Sequence, residues 1–66
     1  MNKLLKLFAH IRFFNRFAVP KFISEDSNYY YFRINKNYVT EISKNYLKKL
    51  NSIQLIFEAK YILNNQ

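Results

Sequence analysis

The sequence predicts a mostly α-helical chain, and three observations carry that reading. Val39, Ile42, Tyr46, Leu50, Ile53, Phe57 and Tyr61 recur at spacings of three and four, the repeat of one helix face. Leu4, Leu7, Phe8, Ile11 and Phe14 form a second such stripe near the N-terminus. Glycine is absent and proline occurs once, at position 20, so the chain has few built-in breaks.

Taken in order, the first element is a basic helix over about 3–18. Pro20 biases Val19 away from the helical region and ends it. Residues 19–28 read as a connector, because Ser24, Asp26, Ser27 and Asn28 bond their own backbone. The run Tyr29–Ile34 has strand preference and forms an extended segment with Tyr30, Phe32 and Ile34 on one side. No second strand stands out to pair with it. Asn35, Lys36 and Asn37 make a turn. A long amphipathic helix then runs over about 38–63. A rival reading breaks it at Asn51-Ser52, with Ser52 capping a second helix or Ile53, Leu55 and Phe57 forming a strand; the uninterrupted apolar phase favours one helix.

The 66 residues bound one domain at most, 1–66, and a chain of this length buries only about 60% of its unfolded surface. No cysteine is present for a disulfide, and the single His10 cannot build a metal site. Half the residues are nonetheless apolar and a fifth aromatic. Such a payload on so small a frame suggests that a partner covers part of it, and that the chain is not an independent globule. The stripe Val39, Ile42, Tyr46, Leu50, Ile53, Phe57 and Tyr61 is the expected protein interface.

Enzyme chemistry finds no footing. His10 is the one candidate base and no nucleophile stands in a geometry with it. Glu25 and Asp26 are adjacent and point apart on any regular element. With no glycine there is no phosphate-cradling loop or dinucleotide fingerprint. No catalytic residue, metal ligand or cofactor is therefore assigned.

The charge is the informative feature. The formal net charge is +7, and residues 1–24 carry Lys3, Lys6, Arg12, Arg16 and Lys21 with no acid. Such a balance favours phosphate backbones or anionic membranes. Arg12, Phe13, Phe14, Arg16 and Phe17 interleave cations with rings, and Tyr29–Arg33 repeats the theme. Lys3, Lys6, Arg12, Arg16, Lys21, Arg33 and Lys36 are the expected nucleic-acid contacts. The plainer alternative keeps the rings in a core and the charges in solvent. Lys and Arg survive that objection better, because folding leaves them on the surface.

The string Phe32-Arg33-Ile34-Asn35-Lys36-Asn37-Tyr38 resembles a segment near the start of a family of small-subunit ribosomal proteins that carry a KH domain. That family's accompanying glycine is missing here.

No apolar run is long enough to span a bilayer, since residues 4–19 are interrupted by Lys6, His10, Arg12, Asn15 and Arg16. The basic, Phe-rich first helix would suit a membrane surface. It lacks the serine enrichment of a mitochondrial transit peptide and begins at Met1, so it is read as retained. Phe, Tyr, Met, Ile, Asn and Lys make up 38 of 66 residues, a bias toward A/T-rich codons that points to a mitochondrion or another AT-rich genome, or otherwise to the cytoplasm. The expected function is a structural RNA-binding subunit of a large ribonucleoprotein, foremost a ribosomal protein contacting rRNA and protein neighbours. Two alternatives stand beside it: an accessory subunit of an organellar respiratory or ATP-synthase complex, and a phage-encoded inhibitor of a nucleic-acid enzyme.

Overall fold

The computed structural model describes residues 2–65. It contains α1 (Asn2–Phe14), β1 (Lys21–Glu25), β2 (Tyr29–Asn35), β3 (Tyr38–Ser43), α2 (Lys44–Lys49) and α3 (Ser52–Asn64). The three strands form one antiparallel sheet in the order β1-β2-β3. With 50% helix and 28% strand, the fold is α+β, which corrects the mostly helical expectation.

The first helix packs through Leu4, Leu7, Phe8 and Ile11, four of the five residues on the face its spacing predicts; the fifth, Phe14, is exposed at the end of the helix. It stops at Phe14 rather than near Ala18, and Asn15 is the reason. The Asn15 side chain accepts a hydrogen bond from the Phe17 backbone N–H at 3.0 Å, and its carbonyl accepts from Ala18 at 3.0 Å. A side chain that bonds its own backbone competes with the next helical turn.

The expected connector over 19–28 holds a strand. Val19 donates its N–H to the Ile34 carbonyl, and Lys21–Glu25 then pair with β2, with a bulge between Phe22 and Ser24. Pro20 is tolerated because it immediately precedes an edge strand. Asp26 closes the β1–β2 turn by accepting from the backbone N–H groups of Asn28 and Tyr29, at 2.8 and 2.7 Å.

The largest correction concerns the single helix expected over 38–63. Its first six residues are β3, paired with β2 through the Asn35–Asn37 turn. That hairpin supplies the partner strand the sequence did not reveal. Val39 and Ile42, three apart, share a helix face but lie on opposite faces of a strand. Val39 is 60% exposed and Ile42 5%, as a strand requires. Tyr38-Val39-Thr40 and Ile42 are β-branched or aromatic, so local preference agrees with pairing.

The chain breaks again at Leu50-Asn51. Asn51, not Ser52, caps α3: its side chain accepts from the Gln54 backbone N–H at 2.9 Å. The Gln54 side chain accepts in return from the Asn51 N–H at 2.9 Å. This reciprocal capping box satisfies two donors that a continuous helix would have bonded internally. Ser43 likewise caps α2.

One core unites the elements. Thirteen buried apolar residues cluster together, from α1, β2, β3, α2, the α2–α3 turn, α3 and the segment before β1. Phe32 and Ile34 of β2 are fully buried, and the Phe8 and Phe32 rings meet at 5.1 Å between centroids. Among the described residues no side-chain polar atom is buried without a partner. The chain thus encloses its own core, which corrects the expectation that it is not an independent globule.

Candidate nucleic-acid interface

The helices cover one face of the sheet. Strand alternation sets Phe22, Tyr30, Phe32, Ile34, Thr40 and Ile42 toward them, and Lys21, Tyr29, Tyr31, Arg33, Val39 and Glu41 toward the other side. No residue in that second set is buried. Lys21 and Arg33 are direct cross-strand partners there, and Glu41 is the partner of Tyr31. Lys36 projects from the following turn and is exposed.

The acids are largely committed within the molecule. Glu25 pairs with Lys44 at 2.9 Å, the one ion pair among the described residues. Asp26 accepts from the Tyr31 hydroxyl at 2.6 Å, and Glu58 from the Tyr46 hydroxyl at 2.7 Å. The bond to Tyr31, with those from the Asn28 and Tyr29 backbone, lowers the Asp26 pKa from its usual 3.8. The same bond pushes the Tyr31 phenol up to about 12. The Glu58 carboxylate raises the Tyr46 phenol above its usual 10.0. Among the described residues, Lys6, Arg12, Arg16, Lys21, Arg33 and Lys36 meet no carboxylate within ion-pair distance.

The expected contacts therefore divide. Lys3 leaves the set: its ammonium donates to the carbonyls of Lys48 and, at 2.7 Å, of Leu50, closing the C-terminal end of α2. Lys6, Arg12, Arg16, Lys21 and Lys36 are exposed, and Arg33 is half-buried. Arg16 lies over the Phe17 ring at 5.3 Å. Phe13 is 81% exposed and Phe17 80%, so this corner presents rings beside Arg12 and Arg16. The Val19–Ile34 hydrogen bond ties that corner to the Lys21–Arg33 end of the sheet. Lys48 and Lys49, outside the expected set, are also exposed, in the last turn of α2.

The expected protein interface also divides. Ile42 and Leu50 are core residues. Val39 lies on the sheet, while Tyr46, Ile53, Phe57 and Tyr61 are exposed on the helical side. Tyr46, Leu50, Gln54, Phe57, Glu58 and Tyr61 line a shallow groove between α2 and α3. The core face of α3 is instead Leu55, Ala59 and Ile62.

Among the described residues no cluster of His, Cys, Asp or Glu could hold a metal ion, and no helix is long and apolar enough to cross a membrane. His10 stands on α1, half-buried. Set against protein-family models, curated proteins and solved structures, the chain matches none of them.

Proposed function

We propose that this protein is a structural RNA-binding subunit of a large ribonucleoprotein, a ribosomal protein in class. It holds RNA phosphates with Arg12, Arg16, Lys21, Arg33 and Lys36. One observation supports the reading above the others: of the seven cations named from the sequence, five are exposed and Arg33 is half-buried, none of the six paired with a carboxylate among the described residues. Like charges set directly opposite, as Lys21 and Arg33 are, destabilise a strand pair. A phosphate between them turns that repulsion into attraction. The A/T-rich codon bias supports an organellar, mitochondrial host for the assembly.

The test is fluorescence anisotropy with a labelled RNA stem-loop across a salt series. Five phosphate contacts give a slope of log K against log salt of about −3.5 to −4.5. Replacing Arg12→Gln and Arg16→Gln together makes that slope shallower by about 1.5. A flat salt response, or no binding at low salt, overturns the proposal. Loss of co-sedimentation with large particles on ribonuclease treatment of a lysate tests the assembly itself.

A second reading has an observation of its own. Leu5, Phe13 and Phe17 are exposed beside Lys6, Arg12 and Arg16, the composition of an interfacial helix. It suits an accessory subunit resting on a membrane complex. Flotation with anionic vesicles, indifferent to ribonuclease, would favour it.

A further inference from the structure

We infer that the open face of the sheet takes up an unpaired RNA strand, with a base stacked on Tyr31 and the adjoining phosphate held between Lys21 and Arg33. The inference rests on the RNA-binding reading above and names the form of RNA.

The face is graded along the strands. Lys21 and Arg33 form a cationic row at one end. The next row, two residues along β2, is Ser24, Tyr31 and Glu41. Rows two residues apart are separated by roughly 6.8 Å. Beyond them, on the same face, stands Tyr29, whose ring centroid is 6.3 Å from that of Tyr31 at an interplanar angle of 37°. The two rings are not stacked on one another, so each has a face to offer.

Tyr31 is held in place before any ligand arrives. Its hydroxyl donates to Asp26, and Asp26 is itself fixed by two backbone N–H groups of the β1–β2 turn. The phenol's polar end is therefore satisfied by a neighbour on the same surface, and what it presents is the ring. A ring already ordered loses little freedom on binding a base. Every base has a π-face, so stacking of this kind requires that the base be out of a duplex.

The Glu41 carboxylate beside Tyr31 argues against a phosphate at that row and for a base edge. A carboxylate accepts from the exocyclic amine of cytosine, whereas Lys and Arg only donate. Cations at one end with a ring and an acceptor at the other match a nucleotide: phosphate first, base next. A duplex presents phosphates, 2′-hydroxyls and groove edges to this face but no open base face, because its bases are stacked on one another.

The experiment measures anisotropy of a labelled, cytidine-rich RNA of about 12 nucleotides, free and annealed to its complement, at one salt concentration. The expected result is tighter binding of the free strand. Tyr31→Ala then weakens that binding about tenfold while leaving duplex affinity unchanged. Tyr31→Phe keeps the ring and retains binding of the free strand within a few-fold. Circular dichroism of both variants confirms the fold. Equal affinity for strand and duplex, with Tyr31→Ala weakening neither, overturns this inference and leaves phosphate binding standing. Equal losses in Tyr31→Ala and Tyr31→Phe overturn it as well, since the ring would then not be the platform. Failure of the unmodified protein to bind either RNA overturns the RNA-binding reading itself.

Discussion

Phe32→Ala against Phe57→Ala decides whether the chain has a core of its own. Both residues are aromatic, yet Phe32 is 0% exposed and Phe57 61%. Phe32 lies against Phe8 at 5.1 Å and belongs to the one buried cluster. Truncating such a ring costs about 3–5 kcal/mol through lost transfer energy and the cavity left behind. A domain of 66 residues has a total stability of about 3–10 kcal/mol. Phe32→Ala therefore brings the protein close to unfolding at room temperature. Its melting temperature should fall by about 12–40 °C, at about 4–8 °C per kcal/mol for a domain of this size. Phe57→Ala removes a ring already in solvent and should stay within about 0.5 kcal/mol. The assay is urea unfolding of the isolated protein followed by far-ultraviolet circular dichroism. The unmodified chain should unfold in one cooperative step. Should Phe32→Ala be unfolded from the start, Ile34→Val, at a fully buried site, should cost about 0.5–1.5 kcal/mol and stay measurable. Equal costs for the two phenylalanines, or a gradual transition in the unmodified chain, would refute a self-contained core.

Two further outcomes follow from the geometry. Asn51→Ala removes one half of the capping box and should cost about 1 kcal/mol, whereas Ser52→Ala, outside the cap pair, should be near neutral by urea titration. The Asp26 carboxyl should titrate below 3.8 by carbon NMR and move back toward it in Tyr31→Phe, because the Tyr31 hydroxyl is the largest cause of its shift. The signs are opposite for the two partners. Asp26, lowered in the folded protein, lends stability above pH 3.8 that is lost as pH falls further. Tyr31, raised, lends stability below pH 10.0 that is lost as pH climbs toward about 12. A Tyr31→Phe protein whose acid and alkaline limbs match the parent's would count against the bond.

What was legible in the sequence was local. The buried face of α1 follows from helical spacing, and Tyr30, Phe32 and Ile34 of β2 from period-two alternation. Both periods are properties of a single segment and need no partner to be read. The exposed cations were legible too, since burying an unpaired Lys or Arg is too costly for folding to hide it. The tertiary structure decided the rest. Val39 through Tyr61 carry a helical phase, but β2 offers Tyr38–Ser43 an edge to pair with, and their β-branched and aromatic side chains favour the ladder over that phase. On α3, two apolar lines compete for the core. The side with Leu55, Ala59 and Ile62 faces it, where the small Ala59 leaves room for α1, and Ile53, Phe57 and Tyr61 stay in solvent. Lys3 reads as a free cation until α2 brings two unpaired carbonyls to it, 45 and 47 residues away along the chain. Periodicity names a segment's faces; which face is buried depends on what the rest of the chain brings against it.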